Sequence, residues 1–218
     1  MNLKKIYEKR FEGVLSQKNK IWKTLCSLYF QKYIKFTDVV LDIGAGYCEF
    51  INNIKCGKKY AVDLNEDTSK FADPDVKVFN YSSTDLSFWS EASIDIVFMS
   101  NFLEHLRNKE EVLKTLLEVY RVLKPRGKVM ILQPNIRYTY KEYWDFFDHY
   151  IPLSDKSLVE ALHIAGFRIE LLLSKFLPYT TKTRIPKNYF LIKVYLKLPI
   201  IWKVMGKQMF IIARKEKK

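Results

Sequence analysis

Early in the chain, two acids and a pair of glycines fall in an order suited to binding a small cationic ligand. Val40-Leu41-Asp42-Ile43-Gly44-Ala45-Gly46-Tyr47-Cys48-Glu49-Phe50 runs from an apolar stretch into a glycine turn. Gly44 and Gly46 have no side chain to hold a ligand away from the backbone. A dinucleotide-binding turn spaces its glycines G-x-G-x-x-G and seats a pyrophosphate on a helix N-terminus. The third position here is Glu49, whose charge and bulk suit a pyrophosphate poorly. Asp42, two residues before the first glycine, suits instead a cationic ligand, such as one bearing a sulfonium and an ammonium group. Asp63 closes Tyr60-Ala61-Val62-Asp63 about twenty residues later, where a carboxylate can accept from both hydroxyls of a ribose. Ser82 and Ser83 follow a third apolar stretch and can meet an adenine amine.

The elements that must position these residues follow from apolar spacing. Residues 15–34 have helical periodicity, with Ile21, Trp22, Leu25, Leu28, Tyr29 and Tyr33 sharing a face. Short buried-strand patterns are predicted over 38–43, 59–62, 76–79 and 94–99, with helix potential over 48–54 after the glycine turn. Residues 108–124 form an amphipathic helix that Pro125-Arg126-Gly127 stops, and 128–132 is a fifth strand. Ser154 is placed to N-cap a helix through Ala165 that Gly166 closes. Strands at 167–173 and 209–213 complete the chain. Alternation of strand and helix predicts an α/β fold with a doubly wound, mostly parallel sheet whose ligand lies beyond the strands' carboxyl ends. No repeat or linker divides the sequence. One domain is expected, with a helical cap over 1–36, a binding core over 37–135 and a lid with the last strands over 136–218.

Two further segments complete the series. Ser100-Asn101-Phe102-Leu103-Glu104-His105-Leu106 follows the fourth strand, and Arg121-Val122-Leu123-Lys124-Pro125-Arg126-Gly127 precedes the fifth. With them, residues 38–135 resemble the class I S-adenosylmethionine-dependent methyltransferases, in the group labelled type 11 or type 23. The resemblance implies a seven-stranded Rossmann-like sheet with an antiparallel last strand, and S-adenosylmethionine as cofactor. It implies cofactor roles for Asp42, Gly44, Ala45, Gly46, Asp63, Ser82, Ser83 and Asn101, with Leu64 and Phe102 beside them. The chain departs from many relatives at Cys48, where they carry a third glycine, and near Ser82, where they carry an acid.

Methyl transfer from a sulfonium is an in-line displacement, and a hydroxyl acceptor benefits from a general base. His105, just after the fourth strand, and His149, in Trp144-Asp145-Phe146-Phe147-Asp148-His149-Tyr150, are the candidate catalytic residues. A Glu-His pair in the first position also serves relatives by positioning the cofactor without taking a proton, and His149 is alternatively a helix cap. His163 reads as a packed or surface residue. Asn135, Arg137, Tyr138, Tyr143 and Trp144 lie in an aromatic, polar segment suited to stacking on a sugar or ring, or to packing as a lid on its own scaffold. Arg10, beside Phe11, reads as a solvated arginine within reach of the cofactor carboxylate. No metal is expected, because the strand ends lack the pair of carboxylates plus amide that cation-dependent relatives use.

Three cysteines without a C-x-x-C pair or a His/Cys cluster argue against a disulfide framework or structural zinc and for a reducing cytoplasm. No run approaches a spanning helix, and no signal peptide is visible. The charge is unevenly spread. Residues 175–218 hold twelve Lys and Arg against Glu216 alone, leaving +2 of the total +13 to the rest. Residues 187–218 mix these lysines with large aliphatic and aromatic side chains. That suits an anionic membrane surface better than nucleic acid, or else a partly buried connection whose lysines snorkel to water. The expected acceptor is a small molecule or glycan, with O-methylation of a sugar in a cell-surface glycan or lipid-linked pathway as the leading reading. An RNA methyltransferase and a scaffold that binds cofactor without turnover are the alternatives.

Overall fold

The structure, a computed structural model, describes residues 15–179 and 189–216. Arg10, Phe11 and residues 187–188 and 217–218 of the basic tail lie outside the described residues. The elements run α1 (Leu15–Leu28), β1 (Val39–Ile43), β2 (Lys58–Val62), β3 (Val76–Phe79), β4 (Ile94–Ser100), α2 (Lys109–Val122) and β5 (Leu123–Pro134). There follow α3 (Ile136–Thr139), α4 (Asp155–Ile164), β6 (Phe167–Leu173), α5 (Tyr189–Lys197), α6 (Pro199–Met205) and β7 (Gln208–Lys215).

The strands form one sheet in the order β3-β2-β1-β4-β5-β7-β6. The first five are parallel, while β7 runs antiparallel to both β5 and β6. Strand order reverses between β1 and β4, so a crevice opens at their carboxyl ends, where open α/β sheets bind ligands. The central strands read as continuous apolar runs because both faces are covered. Leu41, Ile43, Val97, Met99, Val129 and Ile131 face α2 and α4 in one cluster. Val40, Ile96, Phe98, Met130 and Leu132 face the other way, into a cluster rich in rings from α1, the turn after it and α6.

Helix ends follow the residues that satisfy their free amides. Asn108 accepts from the Glu111 amide at the start of α2, with Glu110 and Glu111 in its first turn. Ser154 and Ser157 form a reciprocal capping box on α4, and Gly166 (φ +92) turns the chain into β6.

Two local expectations are corrected. The glycine turn leads not into a helix over 48–54 but into a single 3-10 turn at Ile51–Asn53. Left-handed backbone at Gly46 (φ +52) and Cys48 (φ +59) delays the helical start, and extended Ile54 ends it. Pro125-Arg126-Gly127 lies within β5, which already begins at Leu123 paired with Ile94. The register shifts before Ile96 meets Lys128, and Arg126 takes φ +68 in the resulting bulge.

Candidate active site

A cavity of about 200 Å³ lies at the carboxyl ends of β1 and β4. Its floor is the glycine turn with Asp42 below it, and its walls include Trp22 from α1, Phe50, Phe98, Phe146 and Tyr179. Phe50 and Phe98 stack with centroids 3.6 Å apart and planes 11° apart, with Trp22 edge-on to both. These rings give the cavity an apolar wall beside its acidic floor.

The turn is shaped by what packs on it. Gly44 has φ +69, and a Cβ there would overlap the Phe102 ring, so both backbone and space require glycine. Its amide donates to Val62 O (2.8 Å), and the Gly46 amide donates to Asp63 Oδ2 (2.8 Å). The second Asp63 oxygen accepts from the Asn65 amide (2.8 Å). The end of β2 is thereby tied to the turn after β1, and the two acids predicted to bind the cofactor share one rim.

Asp42 is buried, and burial holds its carboxyl well above the ordinary range, reinforced by Glu49 and Asp63. Burial also raises Asp63, partly offset by the Asn65 and Gly46 amides. Glu49 has Lys18 2.8 Å away, but among the described residues neither Asp42 nor Asp63 has a basic partner in a salt bridge. Buried carboxylates without a cation are costly. This floor therefore fits a positively charged ligand. The Asn101 Oδ1, at φ +47 on the same rim, is a buried acceptor without a protein donor among the described residues.

At the far wall Glu104, His105 and His149 come together. The Glu104 carbonyl accepts from the Tyr150 (2.8 Å) and Ile151 (3.3 Å) amides, pinning the lid segment beside the turn after β4. The Glu104 side chain is fully buried, which raises its pKa, and Gln133 Nε2 donates to Glu104 Oε2 (2.6 Å). His105 Nδ1 lies 2.8 Å from Asp148 O and 3.3 Å from Asp148 Oδ2. His149 stacks on Phe146 (4.8 Å, 25°) and stands edge-on to the His105 ring at 5.1 Å.

Asp42, Gly44, Ala45, Gly46, Asn101, His105 and His149 thus line one cavity. Asp63 joins its rim through Gly46. Phe102 packs on Gly44 beneath it, while Leu64, next to Asp63, is 60% exposed. Ser82 Oγ is 2.8 Å from Thr84 Oγ1, and buried Ser83 Oγ is 2.8 Å from Thr115 Oγ1 on α2. Both serine hydroxyls thus already have partners in the protein.

The lid residues are mostly engaged by the scaffold. Asn135 caps α3 and its Nδ2 donates to Ser174 O (3.0 Å). Arg137 pairs with Asp155 at 3.4 Å, and Tyr138 lies under the Lys175 ammonium at 4.4 Å. Tyr143 is fully buried and donates to Ile151 O, while Trp144 is 58% exposed. His163 is exposed on α4. Sequence reasoning missed the cavity roles of Trp22, Phe98, Phe146 and Gln208, whose apolar or amide side chains carry no chemical signature along the chain.

The strand order β3-β2-β1-β4-β5-β7-β6 with an antiparallel β7, topped by an acidic glycine turn, is that of the class I methyltransferase type of α/β fold. The comparisons with known proteins agree. Residues 41–131 match a family model described as a methyltransferase domain. An 85-residue stretch is 33% identical to the ubiquinone/menaquinone biosynthesis C-methyltransferase UbiE of Blochmanniella pennsylvanica, covering 38% of this chain and 32% of that protein. The chain therefore matches about a third of the length of this curated relative. A SAM-dependent methyltransferase from Archaeoglobus fulgidus shares the fold across 96% of this chain and 98% of its own (TM-score 0.68, 24% identity). Another from Methanosarcina mazei does so across 87% and 97% (TM-score 0.63, 18% identity). The cyclase SpnF has the same fold at 15% identity, across 88% of this chain and 79% of its own (TM-score 0.63), so fold alone does not specify the reaction. Residues 41–131 thus match a methyltransferase domain within a class I methyltransferase fold, and the acidic floor fits the cofactor of that family, S-adenosylmethionine, by charge.

Proposed function

We propose that the protein transfers a methyl group from S-adenosylmethionine to a hydroxyl of a sugar or small metabolite, in a cell-surface glycan or lipid-linked pathway. The observation carrying this reading is the acidic floor of Asp42 and Glu49 around a glycine turn, with Asp63 held at its rim by Gly46, in one cavity with His105 and His149. When bound, the cofactor would supply an activated sulfonium methyl group for transfer to the acceptor oxygen, with the sulfur as leaving group. Asp42 balances positive charge at the floor. Asp63 offers carboxylate oxygens at the rim for ribose hydroxyls. Trp22, Phe50 and Phe98 exclude water and confine the reactants, a contribution of up to about 7–11 kcal/mol where near-attack geometry is held. His105 and His149 are the groups placed to activate an acceptor hydroxyl, whose proton must leave during transfer.

The acceptor class rests on Trp144, Tyr140 and Phe147, which expose 58%, 59% and 87% of their surface on the lid segment. Such rings suit a saccharide face better than an extended anionic strand. A lipid-linked acceptor gains support from α5 and α6, where Phe190, Leu191, Ile200 and Val204 are exposed among exposed Lys193, Lys197 and Lys203. This face suits anionic headgroups at the inner membrane surface, with the protein peripheral to it. No helix of the described residues is long and apolar enough to cross a membrane.

Incubation of the protein with methyl-labelled S-adenosylmethionine and cell extract, followed by fractionation, tests the reading. Label is expected in alkali-stable linkage in the saccharide or glycolipid fraction, and is lost in His105→Ala and His149→Ala variants that still bind cofactor. Label confined to RNA would replace this reading with the RNA methyltransferase.

A further inference from the structure

The polar wall of the cavity is built like a metal centre. One ligand atom each from Glu104, His105 and His149 lie within 4.8 Å of one another. All three residues line the cavity, so a cation held there would keep coordination positions open toward it. Two imidazoles and one carboxylate, with space left for exogenous oxygen, are a donor set that suits a first-row divalent cation.

The surroundings fix each donor. Metal-bound histidines are oriented by a hydrogen bond from the other ring nitrogen to a carbonyl or carboxylate. His105 Nδ1 has both within reach on Asp148, the carbonyl at 2.8 Å and Oδ2 at 3.3 Å, which leaves Nε2 for a cation. His149 is clamped between Phe146 (4.8 Å, stacked) and Tyr143 (4.6 Å), and buried Tyr143 is anchored by its hydroxyl to Ile151 O. Glu104 is fully buried, and its carboxylate is oriented by the neutral amide of Gln133 at 2.6 Å. A buried carboxylate oriented in this way is better balanced by a cation than left to an amide.

We propose that Glu104, His105 and His149 bind one divalent transition-metal ion. Resting on the methyltransferase reading, we assign it the role of holding the acceptor's oxygen in its open positions and lowering that hydroxyl's pKa, so that the proton passes to water and the histidines activate the acceptor as ligands and not as bases.

Cobalt(II) titration of the chelator-treated, dialysed full chain tests the site by the visible d–d absorption of a His/carboxylate complex. One cobalt per chain is expected. His105→Ala and His149→Ala should each weaken it on the order of 100-fold, and the isosteric Glu104→Gln at least tenfold. His163→Ala, an exposed histidine on α4, should bind as the parent does. Near-UV circular dichroism establishes that the variants fold, and Glu104→Gln keeps the test open should an alanine variant fail. No cobalt binding by the parent, or binding unchanged in folded His105→Ala, His149→Ala and Glu104→Gln, overturns the site. A parallel calorimetric titration with S-adenosylmethionine separates the two readings. Cofactor binding without cobalt binding removes the metal and leaves the methyltransferase, and cobalt binding without cofactor binding does the reverse.

Discussion

Asp42 puts ligand binding and stability in opposition at a single residue. Its carboxyl is held well above the ordinary range by burial, then by Glu49 and Asp63. A carboxyl whose folded pKa exceeds its unfolded value, about 4 for aspartate, favours the fold below that value and loses this contribution as pH rises through the folded pKa. The ligand-free protein should therefore be more stable as Asp42→Asn at pH 8, with the advantage shrinking as pH falls toward 5 in thermal melts. The same variant should bind S-adenosylmethionine more weakly by about 2–5 kcal/mol, the cost of losing one partner of a buried charge pair. Parent affinity should rise with pH through the Asp42 pKa, with proton release visible in calorimetry across buffers of different ionisation enthalpy. Gly44 gives a second test. Gly44→Ala meets both φ +69 and the Phe102 ring, so a loss of about 1–3 kcal/mol is expected from strained backbone alone, and more from overlap. Phe102→Ala should relieve the overlap but not the strain, a split that a double-mutant cycle in denaturant measures.

At the scale of elements, β1 through β4 were legible because each is a short apolar run between helix-length or turn-rich segments, whereas β5 runs five residues further back, through Pro125-Arg126-Gly127. Val76–Phe79 matches in full, and 59–62 and 94–99 each fall one residue short of the observed strand. The turn after β1 was harder to read. Cys48 holds a left-handed conformation that glycine adopts more readily, so local propensity and the observed backbone disagree there. In the site, the acidic floor was legible from adjacent residues, whereas the polar wall was legible only as separate candidates, His105 and His149, and not as one cluster with Glu104. Glu104 and His149 meet only because the Glu104 carbonyl pins residues 150 and 151, a contact spanning more than forty residues. The tail holds both a buried and a free face. Trp202 is buried and its Nε1 donates to Tyr195 O (2.7 Å), so Trp202→Ala should cost about 3–5 kcal/mol in chemical denaturation. Ile200 and Val204, 67% and 80% exposed, should change stability by no more than about 0.5 kcal/mol as serine, yet lower vesicle binding.

Across the whole molecule, charge and chemistry are separated. The body is nearly neutral around an acidic cavity, while the last forty-four residues carry most of the net +13. Co-sedimentation with phosphatidylserine vesicles should exceed that with phosphatidylcholine and weaken between low and physiological salt, since each lysine near an anionic surface contributes about 1 kcal/mol and is screened within a Debye length. Absence of binding even to anionic vesicles would remove the peripheral placement without touching the cavity. The cofactor site itself is tested most directly by calorimetric titration of S-adenosylmethionine into the parent and Asp63→Ala, each first shown by thermal melt to be folded. One site per chain is expected, weakened in the variant by about 1.5–3 kcal/mol for each charge-assisted bond lost, roughly tenfold to a hundredfold. Binding at full strength by Asp63→Ala would contradict the assignment of the β2 carboxylate to the cofactor ribose.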